Sequence, residues 1–224
     1  RRVVLSQYLT RIQCAGNYPP QETGLTYNSW FGKFHLEMHW WHAVHFALWQ
    51  KEEIIEKQMK YYADIIENAR KTAVHQGYRG VRWPKMTDPE GRESPSSVGT
   101  YLIWQQPHPI FFAELLYMNA DDRPAVLDRY REVVFETADF MASYAWRDSS
   151  GRYILGPVLI PAQESLNRET TINPVFETVY WHWGLKTAIE WKKRLGEKPD
   201  PLWADVYKNL PELPVMDGLY LCSE

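Results

Sequence analysis

Residues 51–73 carry the pattern that most restricts the fold. Ile54, Ile55, Gln58, Tyr61, Tyr62, Ile65, Ile66, Ala69 and Ala73 recur at intervals of three and four, with Glu and Lys between them. That spacing draws one apolar stripe along a helix, and such a stripe must be buried against another element. Gly77 stops the helix. The same grammar recurs along the chain. Arg1–Cys14 reads as the end of a helix with Val4, Leu5, Tyr8, Leu9 and Ile12 on one stripe. Residues 107–119 make a short helix. Asp122 can cap a longer one with Val126, Leu127, Tyr130, Val133, Val134, Phe140, Met141 and Tyr144 on its buried face. Asn173 caps, and Pro174 opens, a helix running through Trp183 and Trp191 to Gly196, and a last short helix covers residues 201–210. Only residues 153–155 and 219–221 have strand character.

Long loops separate these helices. Residues 77–100 hold four Gly and three Pro in twenty-four residues, and a loop of that length inside a compact domain usually has a function. Antiparallel helical hairpins with their loops gathered at one end are the simplest way to bury the stripes. No repeat of fixed period is visible. The expectation is one all-α domain over residues 1–224.

Composition narrows the function. A hydrophobic fraction of 45% with 24% charged residues is that of a globular protein. A net charge of −3 without a long Lys/Arg cluster lacks the footprint of a nucleic-acid binder. No run approaches the roughly eighteen apolar residues of a membrane span. Cys14 and Cys222, near opposite ends, say little about redox compartment. The chain starts RRVVLSQYL, with neither an initiator Met nor a signal-peptide pattern, which reads as a processed or truncated chain and leaves localisation open.

The segment Asn28–Trp49, NSWFGKFHLEMHWWHAVHFALW, sets Trp30, Trp40, Trp41 and Trp49 and four histidines around a single carboxylate, Glu37. Indole faces stack on the C–H faces of sugar rings, and imidazole and carboxylate groups bond hydroxyls. A carbohydrate site is the first hypothesis. A second places His35, His39 and His42, at i, i+4 and i+7, around zinc on one helical face. A third is plain aromatic packing with hydrogen-bonded histidines. Glu164 lies in a mostly polar loop, GPVLIPAQESLNRETTINP. In a pocket with apolar walls such a carboxyl can stay protonated and serve as an acid; alone, it reads as a solvated surface group.

Four segments in order give these residues a context: the Glu37 segment, GYRGVRWPKMTDPEGRE, YLIWQQPHPIFFAELLY, and residues 156–180. Together they resemble the catalytic domain of the six-hairpin (α/α)6 glycosidases, nearest to glycoside hydrolase family 65, with its disaccharide phosphorylases and glucosyl hydrolases. HLEMH is similar to the family segment that supplies a sugar-binding Asp, which falls on Glu37. Arg82-Trp83-Pro84 followed by Gly91-Arg92-Glu93 resembles its aromatic-Pro-Trp loop with Gly-Glu-Glu. Gly156-Pro157, then Gln163-Glu164 and Ile172-Asn173, resembles its Gly-Pro-Asp-Glu-Tyr motif and Asn-rich helix start. The departures are Glu for Asp at position 37, the residues between Gly156-Pro157 and Glu164, and Pro174 in the Asn run.

The resemblance implies part of an (α/α)6 toroid, with Glu164 as the general acid of an inverting glycoside hydrolase and the base on later hairpins beyond residue 224. Phosphorolysis is an alternative. Expected substrate contacts are Glu37, His39, Trp40, Trp41, Arg82, Trp83, Glu93, Trp104, Gln105, Gln106 and Asn173, with a carbohydrate as partner and neither metal nor cofactor. Two rival functions stand beside it, a non-catalytic carbohydrate-binding or scaffold protein and a helical metalloenzyme using His35, His39 and His42.

Overall fold

The computed structural model describes all 224 residues. In chain order the elements are α1 (Arg2–Cys14), β1 (Phe34–His35), α2 (His39–Leu48), α3 (Glu52–Asp64), α4 (Ile66–His75), β2 (Met86–Thr87), α5 (His108–Asn119), α6 (Arg123–Tyr144), β3 (Trp146–Arg147), β4 (Tyr153–Ile154), α7 (Val175–Arg194), α8 (Pro201–Asn209), β5 (Val215–Met216) and β6 (Leu219–Tyr220). The strands are two residues each and form three antiparallel pairs, β1 with β2, β3 with β4 and β5 with β6. Helices therefore carry the fold.

Helix α5 sits at its centre, packed on α2, α3, α6 and α7, while α6 and α7 also pack on each other and on α8. The stripes read from the sequence meet there: Ile55, Tyr62, Phe112, Phe140, Met141, Trp181, Leu185 and Trp191 are fully enclosed. Burying each such side chain contributes about 1.5–3 kcal/mol, opposed by the chain entropy lost. No helix is long and apolar enough to cross a membrane. Asp122 caps α6 by accepting the Ala125 N–H at 3.1 Å, and Asp200 caps α8 through the N–H groups of Leu202 and Trp203.

Several expectations change in detail. The 51–77 helix is two helices bent at Ile65, where the turn after β2 packs so closely that a Cβ on Gly91 would lie 2.6 Å from the Ile65 Cβ. Its stripe continues across the bend, so periodicity could not reveal it. The Asn28–Trp49 segment is α-helical only from His39, after a 3-10 turn at Trp30–Gly32, because residues 34–35 pair with β2 instead. Asn173 does not cap α7: its backbone is left-handed (φ 45°) and its Oδ1 accepts the Leu155 N–H at 2.8 Å, leaving Pro174 at the helix entrance. Along α1 the stripe from Val4 to Ile12 faces solvent, and only Cys14 is buried.

A candidate active site where three loops meet

The β1–β2 pairing decides where the chemistry sits. Register Phe34↔Thr87 and His35↔Met86 carries on past the strands, with the N–H groups of Leu36 and Glu37 both donating to the Lys85 carbonyl. Glu37 and Lys85 are thereby neighbours. The third loop, residues 155–173, is tied to the same corner by the Ile160 N–H donating to the Tyr101 carbonyl and by a parallel bridge between Leu102 and Ile160. It brings Glu164 to the far side of Lys85.

The Lys85 ammonium thus touches two carboxyls, Glu37 Oε1 at 3.0 Å and Glu164 Oε1 at 2.8 Å. Lys85 and Glu37 are enclosed, with side chains 6% and 7% exposed, whereas Glu164 is 40% exposed. Trp30 covers the cluster, its ring centroid 5.6 Å from the Lys85 Nζ. Burial lifts the Glu37 carboxyl from 4.5 to about 7, against the pull of Lys85 and with help from the negative charges of Glu164 and Glu22. At Lys85 the balance falls the other way: burial disfavours the ammonium, but the hydrogen bond to Glu164 and the charge of Glu37 raise it above its ordinary value. One ammonium is shared by two carboxyls, so it gains from both while each carboxyl gains from only part of it. Glu164 adopts a left-handed backbone, φ 54°, an uncommon conformation for a non-glycine residue and one that clusters at functional sites.

His108 braces the cluster from behind. Its Nε2 donates to the Glu37 carbonyl and its Nδ1 accepts from the Tyr180 hydroxyl, both at 2.9 Å. Burial lowers its pKa to about 4, so it is neutral. On the other side of His108 opens a cleft of about 650 Å³, walled by Trp40, Trp41, Phe111, Phe176, Tyr180 and Trp183 and edged by Gln163, the neighbour of Glu164. Trp41 lies half in solvent at 51% exposure, edge-on to Trp104 at 5.4 Å, and Trp104 in turn meets Phe176.

The remaining sequence candidates lie elsewhere. Trp83 is fully buried, edge-on to Tyr62, with its Nε1 donating to the Thr137 hydroxyl at 2.8 Å. Arg82 is enclosed and donates to the carbonyls of Trp83 and Leu102 and to Gln106 Oε1. Gln105 donates to the same two carbonyls; Gln106 donates to Val81 O and accepts from the Trp83 N–H. These four knot the 81–83 and 102–106 segments together. His39 is fully buried, donating to Gln58 Oε1 and accepting from Tyr62. Glu93 lies half-buried on a bridge to Thr87, 3.5 Å from the Thr100 hydroxyl. Asn173 supports Leu155.

The zinc alternative does not survive the geometry. His35 is on β1 rather than on the helix, with its Nδ1 donating to Lys33 O, while His39 points into the core and His42 Nε2 donates to Glu22 O. No group of three His, Cys, Asp or Glu side chains converges for a metal.

Sequence reasoning missed Lys85, Trp30 and His108, and the cleft walls Phe111, Phe176, Tyr180 and Trp183. Lys85 stands in the flagged loop, but only strand register puts it beside Glu37. Trp30 stands in the flagged aromatic segment without a helical position to mark it.

No protein-family model matches this chain, and no curated protein sequence matches it. Among solved structures, one described as "Putative kojibiose phosphorylase from human microbiome" matches 90% of this chain with a TM-score of 0.75 and 12% sequence identity. The chain spans 28% of the length of that protein. Likeness at this identity is likeness of fold, and the chain accordingly has the fold of part of an (α/α)6 toroid of helical hairpins, the architecture implied by its resemblance to glycoside hydrolase family 65.

Proposed function

We propose that the chain carries the acid side of a glycoside-cleaving site, hydrolytic and inverting, with Glu164 as general acid and Glu37 as the ligand of sugar hydroxyls. The observation that supports this reading is the meeting of Glu37 and Glu164 on Lys85 beside an aromatic cleft. The cleft offers indole faces to a sugar ring, and the more exposed carboxyl, Glu164, is the one a glycosidic oxygen can reach.

Burial raises the Glu37 carboxyl to about 7, so near neutral pH it exists in both forms, and a sugar hydroxyl donating to it favours the ionised one. The two carboxyl oxygens each lie within 3.0 Å of the Lys85 Nζ, so they are closer together than the roughly 6.5–9.5 Å that an inverting acid and base require. Glu37 is therefore not the base in this reading.

The test is Glu164→Gln in the full-length protein against α-linked disaccharides, with and without inorganic phosphate. Cleavage should collapse while sugar binding, read by tryptophan fluorescence, survives. Undiminished cleavage would end the acid assignment, and turnover only with phosphate would replace hydrolysis by phosphorolysis. Sugar binding without cleavage of any disaccharide by the unmodified protein favours the second reading, a non-catalytic carbohydrate-binding protein, which the ion-paired state of Glu164 also suits.

A further inference from the structure

The turn that presents Glu164 has few holds. Within residues 161–166 the backbone makes one internal bond, the Glu164 N–H to Pro161 O at 2.8 Å. Before it the chain is fixed at Ile160, and after it at Asn167, whose carbonyl accepts from the N–H groups of Thr170 and Thr171. In between, only two hydrogen bonds reach the rest of the molecule. One is the Lys85–Glu164 pair at the tip; the other joins the Ala162 N–H to the Glu177 Oε1 at 2.6 Å.

Glu177 is an unusual residue to find there. It stands in the first turn of α7, fully buried, and its second oxygen, Oε2, has no hydrogen-bond partner. An enclosed carboxyl with one orphaned oxygen is costly for stability, and burial accordingly lifts Glu177 from 4.5 to about 7. An apolar residue would pack in the same place without that cost, but it would leave the Ala162 N–H unpaired. One helical turn further along α7, Tyr180 holds His108, which holds the Glu37 backbone. The start of α7 thus touches the supports of both carboxyls.

We propose that Glu177 is a positioning residue that clamps the turn carrying Glu164 onto Lys85, through the bond it accepts from the Ala162 N–H. The claim rests on the reading of Glu164 as the group that does the chemistry, but the clamp itself can be tested without any substrate. Glu177→Gln keeps an acceptor oxygen at the same place. Glu177→Met keeps the volume and removes the acceptor. Ala162→Pro removes the donor and leaves Glu177 and the main helical core untouched, which serves if Glu177→Met fails to fold.

Amide hydrogen exchange of the full-length protein over residues 161–166 is the primary readout. Glu177→Met and Ala162→Pro should speed exchange there roughly tenfold or more, the loss expected for one hydrogen bond to a carboxyl. Exchange in α5 and α6 should be unchanged, and Glu177→Gln should behave as the parent. Faster exchange everywhere, or exchange over residues 161–166 no faster than the parent's in a folded Glu177→Met and in Ala162→Pro, would overturn the clamp. Where disaccharide cleavage is measurable, Glu177→Met should lower kcat with KM within about twofold, and Glu177→Gln should restore it. If Glu164→Gln leaves cleavage intact, the acid assignment fails while the exchange result still decides the clamp.

Discussion

Two polar clusters stand close together along the chain in this molecule, one fully enclosed and one with a carboxyl that reaches solvent. The knot of Arg82, Gln105 and Gln106 spends its donors on the carbonyls of Val81, Trp83 and Leu102, and all three side chains are enclosed. The cluster of Glu37, Lys85 and Glu164 leaves one carboxyl 40% exposed and another with a strongly raised value. The lesson concerns spare capacity. A group enclosed with its donors on backbone carbonyls fixes a loop, even where an acceptor such as Gln105 Oε1 is left unpaired; capacity left over at an opening is available to a substrate.

Substitutions should separate the two clusters sharply. The largest effect is expected at Glu164: Glu164→Gln should cut kcat by about 10²–10⁴-fold while the urea midpoint stays within error, because the side chain is partly solvated. A large loss of stability instead would move Glu164 into the structural class. Next comes Arg82→Met, expected to cost about 3 kcal/mol of folding stability by leaving buried carbonyls unpaired, with no selective effect on kcat in whatever folded protein remains. Chemical denaturation beside single-substrate kinetics reads both, and a kcat loss at Arg82 without a stability loss would erase the contrast.

The same contrast explains what could be read in advance. Helix positions were legible because stripes such as Ile54 to Ala73 impose a period that no loop imitates, and Asp122 capped as its chemistry suggests. Glu37 and Glu164 were flagged by the company they keep in sequence. Trp83, Arg82, Gln105 and Gln106 carry the same flags, yet they face inward, and no local pattern distinguishes an indole that packs edge-on against Tyr62 from one that lines a cleft. Lys85 was invisible for a different reason. Its role depends on strand register over two residues and on a loop brought from residue 164, and both are long-range facts.

Proton linkage gives a smaller and more diagnostic test. Glu37 and Glu177 both rise from 4.5 to about 7 through burial. In the unfolded chain these carboxyls lose their protons near 4.5, while the folded protein keeps them until about 7, so across that window the folded state binds more protons. Their contribution to stability is therefore fully present below about pH 4.5, falls as pH rises, and is gone above about 7. For fully buried Glu177 the fall is on the order of 3 kcal/mol. Glu177→Gln, which cannot ionise, should flatten its share of that slope and be the more stable form at pH 8. Urea melts of parent and Glu177→Gln from pH 4.5 to 8 measure this as the difference between the two, because His39 and His108, whose values burial lowers, add stability to both as pH rises toward 6.5; a difference that does not change with pH would contradict it. Glu37→Gln should flatten the slope by a similar amount, because its shift is of the same size with the pull of Lys85 already included.

The smallest expected effect falls on the cleft wall and carries the comparison to the aromatics. Trp41 is half-exposed and Trp83 fully buried, although both were read as stacking surfaces. Trp41→Ala should leave stability nearly unchanged, since much of the ring already meets water, and should weaken sugar binding by the roughly 0.5–1.5 kcal/mol that one aromatic contact contributes, a change of about two- to twelvefold in Kd. Titration calorimetry with the disaccharide that binds the parent protein is the measurement. If affinity is unaltered, the sugar does not lie on Trp41, and the cleft beside His108 is not where the ring sits. The carboxyl cluster would then have to receive its substrate from the Trp30 side, the other aromatic face over Lys85, and Trp30→Ala would show the loss in its place.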